Sequence, residues 1–124
     1  MAYMNQEKKK TVHQNLKPIL AKYGMKGSLR VRNHMTLVLT LQSGKLDPAQ
    51  DVLFGPHGQT HIDVNQYHFG KQFTGRTLRF LTEVFPAMKA AGWYDRSDAM
   101  VDYFDTAYYI DVQFGTWNKP YRKV

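Results

Sequence analysis

An alternating run of residues near the C-terminus constrains the fold of this chain more than any other stretch. From Ala107 to Phe114 the sequence reads AYYIDVQF. Tyr108, Ile110, Val112 and Phe114 fall on one face of an extended strand, and the residues between them fall on the other. Aromatic and β-branched residues with a period of two are typical of a half-buried strand. The run therefore predicts a strand whose apolar face packs on a core.

Two longer stretches have the spacing of amphipathic helices. The first covers residues 6–23 and the second begins after Thr74, its predicted N-cap, and ends by Gly92. Pro18 predicts a kink in the first helix or a new helix capped by Asn15, because proline removes a backbone donor. The apolar positions are Val12, Leu16, Ile19, Leu20 and Tyr23 in the first helix and Leu78, Leu81, Val84, Phe85 and Met88 in the second.

Three further strands are predicted before the second helix. Ser28–Val31 and Met35–Leu41 form a hairpin, and Thr60–Tyr67 contains the third strand, with Ile62 and Val64 on one face. A three-residue hairpin loop over Arg32–His34 keeps arginines off the apolar face. This register pairs Val31 with Met35 and Leu29 with Leu37, and Asn33 or His34 supplies the positive φ.

The element order α-β-β-β-α-β predicts an α+β fold, a two-layer sandwich of an antiparallel sheet of about four strands with the two main helices on one face. Residues 1–124 are expected to form a single domain, with a basic N-terminal helix and a short basic aromatic tail over Trp117–Val124. An exposed final strand could pair with its copy in a homodimer.

The composition excludes several kinds of functional site and a membrane-spanning fold. The chain has no cysteine, which excludes disulfides, thiolate metal sites and cysteine nucleophiles. No stretch approaches the roughly 20 apolar residues of a membrane span, and no signal peptide is recognisable. The sequence therefore predicts a soluble protein of the cytoplasm that does not bind membranes.

The positive charge is concentrated at one end. Residues 1–32 hold eight of the 17 lysines and arginines and only one of the ten acidic residues, so the remainder of the chain is balanced. Such asymmetry is typical of binding to an anionic partner, although a solvated helix face would look the same. The predicted binding residues are these cations and two aromatics of the tail: Lys8, Lys9, Lys10, Lys17, Lys22, Lys26, Arg30, Arg32, Trp117 and Tyr121. Exposed Trp93 and Tyr109 could also stack on bases.

A cluster of carboxylates gives an alternative. Asp98, Asp102 and Asp105 fall along one edge of a short predicted helix over residues 98–104, and His61 or His68 could join them. Carboxylate oxygens suit Mg²⁺, and an added histidine suits Mn²⁺. The same aspartates could instead cap helices or pair with nearby basic groups. No catalytic residue is predicted, and a cofactor, Mg or Mn, belongs only to this alternative.

Several phrases of the sequence resemble a known family. KYGMKGSLRVRNHMTLVL, HIDVNQYHF, FTGRTLRFL and RSDAMVDYFDTAYYIDVQFGTWNKPY are similar to small phage and plasmid proteins that belong with large polyvalent protein associated domain 29. The resemblance covers roughly residues 22–121. It implies an accessory protein of a mobile element, linked to host takeover or counter-defence and acting in the host cell, and it implies no catalytic residues.

Two hypotheses follow. The preferred one is a non-enzymatic binding module whose basic N-terminal surface engages nucleic acid or an acidic host protein. The alternative is a small metal-dependent phosphodiesterase or nuclease in which the three aspartates hold the metal.

Overall fold

The computed structural model describes residues 4–51, 62–64, 69–93, 107–116, 119 and 121–123 of the 124-residue chain. Within these residues the elements follow one another as α1 (Gln6–Lys22), β1 (Met25–Arg32), β2 (Thr36–Gly44), α2 (Pro48–Asp51), β3 (Ile62–Val64), α3 (Phe69–Gln72), α4 (Gly75–Met88), β4 (Tyr109–Phe114) and β5 (Arg122–Lys123). The predicted short helix over residues 98–104 lies outside the described residues.

The strands form one sheet in the order β1-β2-β4-β3, and β5 pairs with the end of β2. β1 is antiparallel to β2 and β3 is antiparallel to β4, whereas β4 and β5 both run parallel to β2. The α+β class is confirmed, but the sheet is mixed and not purely antiparallel as predicted. β4 follows α4 in the chain and lies beside β2, running in the same direction as β2.

The apolar face of the sheet consists of rows of residues that pair across neighbouring strands. The central row runs from Leu29 through Leu39 and Val112 to Val64. Leu39 and Val112 are fully buried, and Leu29 on the edge strand is partly buried. The predicted alternation of β4 is confirmed, since Tyr108, Val112 and Phe114 have no exposed surface.

α1 and α4 pack side by side on this apolar face. The rings of Tyr23 and Phe80 meet edge to face at a centroid distance of 5.3 Å, which is a favoured aromatic geometry. On the outside of the same contact, Lys22 Nζ lies 2.9 Å from the Glu83 carboxylate. Among the described residues, α1 and α4 thus form a helical layer on one face of the sheet.

α1 is continuous through Pro18, so the predicted start of a second helix is wrong. Its N-cap is Asn5, whose side-chain oxygen accepts from the backbone N–H of Lys8 at 2.8 Å. Asn15 does not cap a helix and donates to the carbonyl oxygen of Thr11. Pro18 is tolerated because it lies on the exposed side of α1, where solvent can satisfy the carbonyl that loses its helical partner.

The hairpin loop has three residues, but they are Asn33, His34 and Met35, because Arg32 pairs with Thr36. The predicted pairing of Val31 with Met35 is therefore wrong by two positions, and Val31 pairs with Leu37. A shift of two keeps every side chain on its predicted face. Asn33 and His34 both have positive φ, 54° and 57°, which asparagine and histidine tolerate better than most residues. Met35 is 40% exposed and is not part of the apolar face.

The N-terminus of α4 is held by a residue distant in sequence. Thr74 occupies the predicted N-cap position but makes no side-chain cap hydrogen bond. The carboxylate of Asp51 accepts instead from the hydroxyl of the buried Thr77 at 2.6 Å and from its backbone N–H at 3.4 Å. α4 ends at Met88, one turn before the predicted stop at Gly92.

β4 lies between β2 and β3, and β3 pairs with the part of its outer edge from Val112 to Phe114. β4 is therefore not the fully exposed final strand that the sequence predicted, and the homodimer stays a prediction. No helix within the described residues is long and apolar enough to cross a membrane.

Candidate nucleic-acid interface

The face of the sheet opposite the helices, here called the open face, carries the polar residues of every row. The first row runs from Arg32 through Thr36 to Tyr109, the second contains Arg30, Val38 and Asp111, and the third contains Ser28, Thr40, Gln113 and Asp63. Paired residues of neighbouring strands point to the same side of a sheet, so these side chains share one surface. Tyr109 is 48% exposed at one end of it.

A concave region of about 570 Å³ occupies the other end of the open face. It is called the basic cavity here. Its walls come from β1, from the end of β2, and from the segment around β5, which pairing with β2 brings to this place. The lining residues are Lys26, Ser28, Arg30, Thr40, Gln42, Ser43, Gly115, Thr116, Lys119 and Arg122.

Of the described residues that line the basic cavity, none is acidic and four are cations, namely Lys26, Arg30, Lys119 and Arg122. All four are exposed. In the part of the chain that the structure describes, none of these four side chains makes an ion pair. Their charges are therefore not neutralised by the described carboxylates, and the cavity has a positive potential.

Arg32 differs from its neighbour Arg30, although sequence assigned both to the binding surface. One guanidinium nitrogen of Arg32 lies 3.2 Å from the carboxylate of Asp111, and both side chains are partly exposed. Exposed pairs of this kind contribute little to stability. The ion pair nevertheless neutralises Arg32 and makes Arg30 the stronger anion-binding group of the two.

The amide nitrogen of Gln113 donates to the hydroxyl of Thr40 at 3.0 Å, across the β2–β4 pair. This contact fixes two polar side chains at the border of the basic cavity. The cavity therefore combines exposed cations with a hydrogen-bonded pair of polar side chains at its border.

A second concave region of about 560 Å³, here called the edge cavity, lies where α1 meets the outer edge of β1. Its described cations are Lys9 and Lys10, and none of the described lining residues is acidic. Ser28 lines both the basic cavity and the edge cavity. The described lining residues are Gln6, Lys9, Lys10, His13, Gly27, Ser28 and Leu29.

The five predicted helix lysines do not form one surface. Lys9 and Lys10 face the edge of β1, and Lys17 lies two turns after Lys10 on the same side of α1. Lys8 lines a small cavity with Ala91, beyond the C-terminal end of α4.

Lys22, on the α4 side, is already occupied by Glu83, which accepts hydrogen bonds from both Lys22 and the Tyr23 hydroxyl. These hydrogen bonds lower the pKa of the Glu83 carboxyl and so keep it ionised next to the lysine. Lys22 therefore links α1 to α4. It does not belong to the basic binding surface that the sequence predicted.

Tyr121 is a structural residue, so its predicted role as an exposed stacking residue is wrong. Its hydroxyl donates to the carbonyl oxygen of Leu46 at 2.7 Å, and its ring packs edge to face on Phe114 at 5.6 Å. Trp93 is also anchored, because its indole N–H donates to the carbonyl oxygen of Tyr108 at 2.9 Å. Trp117 lies outside the described residues. Tyr109 is the aromatic that the described open face presents to solvent.

We expect the fold to lose stability when the solution becomes strongly alkaline. Burial raises the pKa of Tyr121 to about 12, and it raises the pKa of Tyr108 likewise to about 12, from the ordinary 10.0. The folded state thus favours the neutral hydroxyls. Their contribution to the free energy of unfolding is complete below pH about 10 and is lost as the pH rises through about 12. Urea unfolding across this range, with tyrosinate absorbance as the titration signal, measures the loss. The Tyr121→Phe variant should lose less stability than the parent chain; an equal loss would contradict the assignment to Tyr121.

The sequence prediction missed Lys119 and Arg122 as site residues. The basic character of the tail was visible, but its position beside β1 and β2 depends on the pairing of Ser43 with Arg122. No local pattern in the sequence indicates that contact.

The residues of the predicted metal site, Asp98, Asp102, Asp105 and His61, all lie outside the described residues, as does His68. Among the residues that the structure does describe, no three histidine, aspartate or glutamate side chains are grouped closely enough to hold a metal ion.

Comparison of this chain with protein-family models, with curated proteins and with solved structures gives no match.

Proposed function

We propose that this chain is a non-enzymatic nucleic-acid-binding protein whose binding site is the basic cavity of the open face. The observation that carries the proposal is the lining of that cavity, where four cations converge and none of the described residues is acidic. Lysine and arginine that replace condensed counterions on phosphates supply most of the affinity of sequence-independent nucleic-acid binding. A cavity of this charge is suited to a phosphate backbone.

The polar character of the lining favours nucleic acid over an acidic protein. Protein interfaces have an apolar core with aromatic or aliphatic anchors in pockets, whereas the described residues that line the basic cavity include no apolar side chain. Its remaining residues, such as Ser28, Thr40 and Gln42, carry hydroxyl and amide groups that bond well to phosphate and sugar oxygens.

Tyr109 supports the same proposal from the other end of the open face. Tyr109 pairs with Thr36, which lies four residues before Thr40 on β2. The distance along β2 between these two positions is about 13 Å at the usual rise per strand residue. An exposed aromatic ring at this distance can stack on a base whose backbone continues into the basic cavity.

The proposal includes the biological setting. It places the protein among the accessory proteins of phages or plasmids that act on host processes in the host cytoplasm, and its support is the sequence resemblance described above.

Binding of the purified chain to labelled single- and double-stranded DNA and RNA, over a series of salt concentrations, tests the function. We expect the logarithm of the association constant to fall linearly with the logarithm of salt concentration, by about 0.7 per phosphate neutralised on a single strand. Polyglutamate serves as the anionic control that lacks phosphate, sugar and bases.

Equal binding of polyglutamate and nucleic acid would contradict the proposal and favour an acidic protein partner. No binding of either polymer would also contradict it. The same reactions with Mg²⁺ and Mn²⁺, resolved on a denaturing gel, address the nuclease alternative. Metal-dependent cleavage that disappears in Asp102→Asn would contradict the binding-protein proposal and show that the chain is an enzyme.

A further inference from the structure

We infer that the bound nucleic acid is a single strand that crosses the outer edge of β1 at Ser28, passing from the basic cavity to the edge cavity. This inference rests on the proposed function, since it specifies the ligand and its path. Its basis is that two cavities of similar size lie on either side of one edge strand and share one residue.

The crossing point is formed by the two smallest residues of β1. Gly27 has no side chain, and a Cβ there would lie only 3.1 Å from the Leu41 side chain and 3.2 Å from the carbonyl oxygen of Thr40. Ser28 beside it is short and exposed. A β-bulge between Lys26 and Gly27 also interrupts the regular edge. No long side chain therefore rises at the edge between Lys26 and Leu29.

Cations are present on both sides of this crossing. Lys26, Arg30, Lys119 and Arg122 lie in the basic cavity, and Lys9 and Lys10 lie in the edge cavity. Neither cavity is lined by an acidic side chain of the described residues. A polyanion that follows the path thus meets positive charge before and after the edge and no described carboxylate along it.

The path selects a single strand because it turns from one layer of the protein to the other. The basic cavity is on the open face, whereas the edge cavity reaches α1 in the helical layer. The persistence length of double-stranded DNA is about 50 nm, so a duplex cannot follow a turn within one small protein without a large bending cost. A single strand turns freely and can place successive phosphates in the two cavities.

The test compares short and long oligothymidylates, of about 4 and about 12 nucleotides, which are within the range of site sizes for small single-strand-binding folds. We expect the long oligonucleotide to bind at least about tenfold more tightly at low salt, because it alone reaches Lys9 and Lys10. In the Lys9→Gln/Lys10→Gln variant the affinity for the long oligonucleotide should fall to that for the short one. The short oligonucleotide and a duplex should bind this variant as they bind the parent chain.

A matched variant, Lys71→Gln/Arg79→Gln, removes two exposed cations of the helical layer that line neither cavity. If it weakens long-strand binding as much as the Lys9→Gln/Lys10→Gln variant does, the effect is one of net charge and the path is wrong. The path is also wrong if the Lys9→Gln/Lys10→Gln variant loses affinity for short and long strands by the same factor, or if it binds both as the parent chain does. These outcomes leave the basic cavity intact as a site, whereas absence of binding by every nucleic acid would overturn the proposed function itself.

Substitution at Ser28 examines the crossing point directly. Ser28→Glu and Ser28→Gln introduce side chains of nearly equal size that differ in charge. We expect Ser28→Glu to reduce affinity for the long strand about tenfold relative to Ser28→Gln, with a smaller effect on the short strand. Equal affinity of the two variants for the long strand would place the strand away from this edge.

Discussion

Reversing two charges of the basic cavity together, in Arg30→Glu/Arg122→Glu, is expected to lower the affinity for single-stranded nucleic acid at least about a hundredfold at low salt. The change removes two phosphate-binding groups and adds two carboxylates that repel phosphates. Both residues are exposed, and neither makes an ion pair with another described residue. The free energy of unfolding should therefore change little.

Binding titrations at several salt concentrations measure this effect. The slope of the logarithmic salt plot should become shallower by about 1.4, twice the contribution of one phosphate contact on a single strand. The control is Lys71→Glu/Arg79→Glu, which alters the net charge of the chain equally but in the helical layer. A similar loss of affinity in this control would show that the whole-protein field, and not the basic cavity, is responsible for binding.

The second large effect is expected in the core. Leu39→Ala should lower the free energy of unfolding by about 2–5 kcal/mol, the usual range for a buried leucine replaced by alanine. Leu39 is fully buried on the strand β2, between Leu29 on one side and Val112 on the other. The neighbouring strands are fixed by backbone hydrogen bonds, so they cannot close the resulting cavity.

Leu29→Ala provides the comparison, because Leu29 occupies the same row on the edge strand and is only partly buried. We expect it to cost about 1–2 kcal/mol, in proportion to the smaller apolar area that it removes from water. Denaturant unfolding of both variants measures the difference. An equal cost at the two positions would mean that the row is not buried more deeply at its centre than at its edge.

Local patterns in the sequence predicted the elements and their faces well. The alternation from Tyr108 to Phe114 predicted β4 and its buried side, and the helical spacing of Val12 and Leu16 predicted the buried side of α1. These patterns reflect burial, which depends on the period of the element and not on its partners. The same reason explains why the hairpin register was wrong by two residues while the strand residues kept their predicted faces; Met35, which lies in the loop, is the exception.

The partners of each element could not be predicted, because alternation is the same in parallel and antiparallel strands. Nothing in β4 itself indicates that it pairs in parallel with β2. Val38 shows the same limitation, since its place among polar residues predicts exposure, whereas its side chain has no exposed surface in the folded chain.

The candidate site was predicted in part. The excess of cations at the N-terminal end indicated Lys26 and Arg30, but half of the cations of the basic cavity come from the end of the chain, through Lys119 and Arg122. The removal of Lys22 from the surface depends on Glu83, which is 61 residues away. Contacts over such separations are tertiary, and a single sequence does not display them.

The insertion of β4 between β2 and β3 has a consequence for how the chain folds. β1 and β2 can form a hairpin early, but the other edge of β2 stays unpaired until β4 is added. Thr40 and Gln113 are in contact across the β2–β4 pair although 73 residues separate them. Closing so long a loop costs entropy before any contact repays it, so folding is expected to be slow for a chain of this size. During synthesis, the leucines of β2 stay without their β4 neighbours until the residues up to Phe114 have left the ribosome.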